Sequence, residues 1–279
     1  FIALFCTAAS AELVTNIDYP PIGSPRALKG GRIVYAISSF PATFRIYGPN
    51  SNTYFISLIS GLVYQTLVSV HPNTLEIIPS LAEAWEIGED KRTFTFRLDG
   101  RARWADGKPV TVEDVIFSWE LATSRDIGDP QVSDIYRRFE RPEKIGERTV
   151  RFRAKTLHWR NFLFCGANLA ILPKHIYEGK DYYKYFQWRM PPGSGPYMLW
   201  KFRKGRYIIL KRRKDFWAES MRRNIGLYNF DYIKFVVVRD MNLELEKFKK
   251  GELDFYIVGI ARKWVRELTP ERERKIAMG

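Results

Sequence analysis

The chain has 279 residues, of which 46% are hydrophobic and 15% aromatic, ample for one large buried core or two smaller ones, and it contains no low-complexity tract. Basic residues outnumber acidic ones by 45 to 31, a formal net charge of +14. The basic residues are scattered and carry no nucleic-acid module pattern, so the charge alone does not make a nucleic-acid-binding protein. No apolar stretch approaches the length of a membrane span.

The N-terminus reads first as a processing segment. Phe1-Ile-Ala-Leu-Phe5 is an apolar run, and Ala9-Ser10-Ala11 fits a signal-peptidase site, so residues 1–11 read as the tail of a secretory signal. A buried N-terminal strand is the plainer alternative. The bulky Phe5 before Cys6 argues against a lipidated cysteine, which leaves an exported, unlipidated protein. Cleavage after Ala11 leaves Cys165 as the single thiol, unable to form an internal disulfide and best read as a small buried hydrophobe among Phe162, Leu163, Phe164 and Leu169.

Residues 12–30, rich in Pro and Gly, form an extended lead-in. Arg32–Ile37 reads as a first strand, followed by an irregular loop from Ser38 to Asn52. Tyr54–Val68 carries apolar residues at helical spacing. Thr93–Leu98 alternates cleanly and reads as a half-buried strand. It runs into Trp104, the Asp106-Gly107 turn dipeptide and a helix opened by Thr111. Asp114, three residues on, makes this close to a capping box, and Val112, Val115, Ile116 and Trp119 face a core. Further strands are predicted at Thr149–Arg153, Tyr207–Lys211, Tyr232–Val238 and Phe255–Val258. A helix is predicted over Asn242–Lys250, stopped by Gly251. The densest basic cluster, Lys201 to Lys214, alternates with Tyr207, Ile208, Ile209 and Leu210 and reads as a hairpin with solvated charges. Separated strands and helices give an α/β or α+β architecture.

The string Trp104-Ala-Asp-Gly-Lys-Pro-Val-Thr-Val-Glu-Asp-Val-Ile-Phe-Ser118 closely resembles the family 5 extracellular solute-binding proteins, the peptide- and nickel-binding receptors of ABC importers. Ile78–Trp85, Leu172-Pro-Lys-His175, Gly193-Ser-Gly-Pro-Tyr197, Lys214-Asp-Phe-Trp217 and Gly251-Glu-Leu-Asp254 resemble further segments of the same family in the same order. Asn224–Asp231, Phe235–Asp240, Asp18-Tyr-Pro-Pro21 and Lys29-Gly-Gly31 are similar to the oligopeptide and microcin C branch.

The resemblance implies a bilobed, periplasmic-binding-protein-like α/β fold of type II with an inserted smaller domain. Residues 12–50 and about 167–255 would form lobe one, 51–166 the inserted domain, and 256–279 the start of a second lobe. Family members are roughly twice this length, so the chain is expected to be an incomplete receptor. The implied function is the periplasmic substrate-binding component of an ABC importer, monomeric when complete. The implied partners are an oligopeptide or peptide-conjugate ligand and an inner-membrane permease with its ATPase. Neither a cofactor nor nucleic acid is expected. Two rivals stay open: a basic surface- or nucleic-acid-binding fragment, resting on the charge, and a remnant without binding function, resting on the absent second lobe.

Ligand contacts are expected from loops that follow strands. Ser39, Phe40, Phe44 and Tyr47 follow the first strand, with Phe40 and Phe44 alternatively serving as core anchors. Ser194 and Gly195 belong to a loop whose backbone N–H groups can approach a ligand closely, or which simply holds Tyr197 in a core. His71, His158 and His175 lack metal-ligand spacing, and no nucleophile elbow, phosphate loop or paired-cysteine motif is present, so no enzyme chemistry is expected.

Overall fold

The computed structural model describes residues 13–259 together with Ala261, Arg262 and Val265. The proposed signal remnant, residues 1–11, lies outside the described residues, as does most of the segment assigned to a second lobe.

Two four-stranded sheets carry the architecture. The first is built from β1 (Arg32–Ile37), β8 (Tyr197–Arg203), β9 (Tyr207–Arg212) and β10 (Tyr232–Val237), in the order β1-β10-β9-β8. β1 and β10 run parallel, pairing Arg32 with Tyr232 and Ile37 with Val237, and the other pairs are antiparallel. The second sheet is antiparallel throughout, in the order β4-β5-β7-β6. Its strands are β4 (Ala82–Ile87), β5 (Thr93–Leu98), β6 (Glu143–Gly146) and β7 (Thr149–Arg153). A short pair, β2 (Val68–Val70) and β3 (Ile77–Pro79), lies between them in sequence. The mixed α/β architecture expected from the sequence is the one observed.

Helices cover the sheets according to their apolar faces. α1 (Tyr54–Val63) buries Phe55, Ile56, Ile59 and Val63, and the Phe55 ring meets Phe235 of β10 edge-on at 5.1 Å. α1 therefore packs on the first sheet. α2 (Val112–Thr123) packs Val112, Val115, Ile116 and Ala122 inward, and α3 (Pro130–Tyr136) lies beside it. Next come α4 (Asn161–Leu163), which runs into a wide turn at Phe164–Asn168, then α5 (Lys174–Tyr177), α6 (Tyr182–Phe186) and α7 (Met241–Lys249).

The predicted capping box at α2 is formed. The Thr111 hydroxyl accepts from the Asp114 N–H, and the Asp114 carboxylate accepts from the Thr111 N–H at 2.8 Å. The same carboxylate accepts from the Trp104 indole N–H at 3.3 Å and the Lys174 N–H at 2.8 Å. One turn further on, the Ser118 hydroxyl accepts from the Leu172 N–H at 2.8 Å. The family-like strings around Trp104 and Leu172 are thus a joint that fastens α2 to the chain entering residues 172–177.

Two element predictions fail. The first helix stops at Val63 instead of Val68, because Tyr64 turns extended and the helix's last carbonyls are met by another loop. Phe255–Val258 forms no strand, since no described strand offers it a ladder, and β-propensity without a partner leaves backbone groups unpaired. α7 begins at Met241, with Asp240 as the N-cap accepting from the Asn242 and Leu243 N–H groups, and Gly251 follows it at φ 73°.

Candidate functional site

The loop after β1 anchors itself with aromatic rings. Phe44 is 1% exposed and meets Trp188, Phe202 and Phe55 at 5.0–6.0 Å, while half-buried Phe40 meets Trp188 and Phe202 at a tilt in the same cluster. Arg45, also buried, donates to the Tyr183 carbonyl and the Gln187 side chain and lies 4.6 Å over the Tyr183 ring. Tyr47 is held through its backbone, its N–H donating to the Tyr182 hydroxyl and its carbonyl accepting from it. Gly48 donates to the Asp129 carboxylate at 2.9 Å, and Asp129 also caps α3.

This bracing shapes a cleft of about 350 Å³ between the loop, α1, α3 and the turn after α4. Ile46, Ile56, Val132, Ile135 and Ala170 supply an apolar floor. Asn52, Ser57, Ser60, Gln131 and Asn168 supply neutral amide and hydroxyl groups around it. The volume lies at the low end of small-molecule sites, and the mixture of apolar floor and few polar groups is their usual make-up. Tyr47 closes the inner end. Its hydroxyl is buried and makes no hydrogen bond among the described residues. Burial pushes its pKa well above the ordinary phenol value against the lowering pull of the nearby Ala170 backbone N–H, which can only donate, so the Tyr47 O–H remains a donor without an acceptor.

A larger, more open recess of about 700 Å³ lies beside Trp159, Leu157 and Ile87 at the second sheet. It holds only Lys91 and His158 as polar groups and does not touch the loop after β1, so the smaller cleft is the better candidate.

Of the six residues expected to meet a ligand, Tyr47 alone lines the cleft. Ser39 is exposed on the loop before it. Phe40 and Phe44 are core anchors, turned into the aromatic cluster. Ser194 and Gly195 are buried against the end of α1 and need correction. The Gly195 N–H donates to the Val63 carbonyl at 3.0 Å, and the Ser194 hydroxyl accepts from the Gln65 N–H at 3.2 Å. A Cβ at Gly193 or Gly195 would overlap the Val63 or Leu62 carbonyl. The backbone closeness that glycine permits is used on a helix terminus, and Arg213, 4% exposed, donates to the Gly193 and Gly195 carbonyls from the other side.

Ser57 and Ser60 on α1, and Gln131 and Asn168 beyond it, were missed. One signal was available: α1 contains no charged residue, and its outward face carries Ser57, Ser60 and Gly61 instead. A helix facing open water normally carries charge there. Among the described residues, no group of three His, Cys, Asp or Glu side chains could hold a metal ion. Cys165 is fully buried and burial pushes its thiol pKa well up.

The sequence matches the profile of the bacterial extracellular solute-binding proteins, family 5, middle region, over residues 76–272. The chain belongs to this family. A relative in Agrobacterium fabrum named a probable peptide-binding protein, YejA, is 34% identical over 215 residues, 74% of this chain and 34% of its own length. The same organism's peptidoglycan-binding protein YepA is 31% identical over 90% of this chain and 41% of its own length. Among solved structures, the oligopeptide-binding protein AppA of Bacillus subtilis, in complex with a nonapeptide, superposes with a TM-score of 0.72 at 23% identity. That match covers 86% of this chain and 46% of AppA. The chain therefore spans about a third to two fifths of the length of these curated relatives and under half of the solved structure.

Proposed function

We propose that this family 5 chain forms one wall of the ligand cleft of an extracytoplasmic receptor that binds peptides or peptide-like compounds and delivers them to an ABC permease and its ATPase. The buried Tyr47 hydroxyl, unpartnered at the end of a cleft whose one acidic lining group, Asp129, is taken up by the Gly48 and Val132 N–H groups, carries the reading. A buried donor without an acceptor is costly, and a ligand carbonyl would satisfy it. The neutral Asn52, Ser57, Ser60, Gln131 and Asn168 suit the amide groups of a peptide backbone better than a metal or a highly charged ligand. The names of YejA and AppA support the same ligand class. Export to the periplasm, with removal of residues 1–11, is part of this proposal.

The test is calorimetric titration of the full-length gene product with a pool of short peptides. Binding is expected, and Tyr47→Phe is expected to weaken it by about tenfold, the loss of one buried hydrogen bond. Absence of binding across the pool would reject the ligand class. Binding unaffected by Tyr47→Phe would reject the cleft.

A further inference from the structure

The outward face of the lobe-one sheet is only half covered. Phe248 of α7, with Leu253, packs on Val34, Ala36 and Val236, and this cover ends there. The rest of the face, across β8, β9 and the start of β10, has no element over it among the described residues. The strand register fixes what it presents. Tyr232, Lys211 and Met198 share one row, Lys234 and Lys201 flank the buried Ile209 in the next, and Tyr207 and Arg203 share a third. Arg32 flanks Tyr232 on β1. A register shift between Leu199 and Lys201 turns the intervening Trp200 onto the same face, where its ring meets that of Tyr232 at 4.9 Å.

The face is cationic. Arg32, Lys201, Arg203, Lys211 and Lys234 lie on it, and none of them forms an ion pair among the described residues. By contrast Arg212, which points to the other side of β9, is paired with Asp231 at 2.7 Å. Two lysines lie over rings instead of carboxylates, Lys201 over Trp200 at 4.2 Å and Lys234 over Tyr207 at 5.7 Å. Met198 and Trp200 are 42% and 48% exposed, so apolar surface sits within the positive field.

We infer that this face docks on an anionic phospholipid bilayer. An open sheet with spread cations complements a plane of negative headgroups, where each Lys or Arg near the surface adds attraction that fades within a Debye length. Trp and Tyr suit the headgroup layer, since an apolar body enters while the polar edge stays wet. A nucleic-acid strand fits less well, because Trp200 and Tyr232 pack on each other and leave no gap for a base to stack between them. The inference does not depend on what the cleft binds.

The experiment is cosedimentation of the full chain with vesicles of phosphatidylcholine, with and without phosphatidylglycerol, at about 50 mM salt, where screening is weak. Binding is expected only to the phosphatidylglycerol vesicles. The variant Lys201→Glu/Lys211→Glu/Lys234→Glu is expected to lose at least about tenfold in affinity. An equal change of net charge elsewhere, Lys91→Glu/Lys108→Glu/Lys155→Glu, is expected to cost less than about threefold. Trp200→Ala is expected to weaken binding without changing its salt dependence. Circular dichroism checks each fold, and glutamine replaces glutamate at the first three positions if that variant unfolds. No binding to phosphatidylglycerol vesicles, equal losses in the two triple variants, or displacement from the vesicles by a single-stranded oligonucleotide at equal phosphate would each overturn the inference.

Discussion

Glycine has two different uses in this chain, and substitution separates them. Gly107 takes φ +84° in the turn after Asp106, and an added Cβ there meets nothing within 4 Å. Gly107→Ala is therefore expected to cost about 1 kcal/mol, the strain of a left-handed residue. Gly193 has no unusual φ, but an added Cβ would overlap the carbonyl of Val63 at the end of α1. Gly193→Ala is expected to cost about 3 kcal/mol, at the upper end of overpacking. Urea midpoints of the two variants check the order, and a Gly193→Ala protein as stable as Gly107→Ala would contradict the packing described. Gly107 was legible in the sequence because its neighbour Asp106 announces a turn. The role of Gly193 was not, because the helix end it touches lies 130 positions earlier, and no local pattern encodes that contact.

Elements were legible in proportion to how locally their causes act. Thr93–Leu98 and Thr149–Arg153 alternate and appear with the predicted bounds, and the Thr111 cap fixes where α2 begins. α1 was read too long because Leu67 and Val68 continue its apolar spacing, while the loop that terminates it comes from Gly193–Gly195. The same distance hid the joint between elements. Asp106, in the turn before α2, contacts His175 of α5 at 2.7 Å. Burial raises the Asp106 pKa, but hydrogen bonds from His175 and the Lys108 N–H outweigh it and leave the pKa below its ordinary value. A carboxylate with a lowered folded-state pKa stabilises the fold above its unfolded value, about 3.9, and that stability is lost as pH falls through the folded value. Stability measured in urea from pH 6 down to 3 is therefore expected to fall less steeply in Asp106→Asn than in the parent. Identical slopes would mean that the contact is not formed in solution.

The cleft was the least legible part of the molecule, because it is assembled from Ile46, Ser57, Gln131 and Asn168, which no motif connects. At the scale of the molecule, the two four-stranded sheets share one core. Phe96 and Phe152 of the second sheet and Ile208, Leu210 and Phe235 of the first belong to one buried cluster. With the core shared, the two sheets are expected to melt together. Thermal unfolding followed by far- and near-ultraviolet dichroism should give one coincident transition, and two separated transitions would show that each sheet holds its own fold. The parallel pairing of β1 with β10 has a consequence in time. Arg32 meets Tyr232 across 200 positions of chain. At ordinary rates of synthesis that separation corresponds to about 10–40 s during which the first strand made has no partner. The first sheet is thus completed by its late segments, and a nascent chain that stops short of Tyr232 carries β1 with neither edge paired.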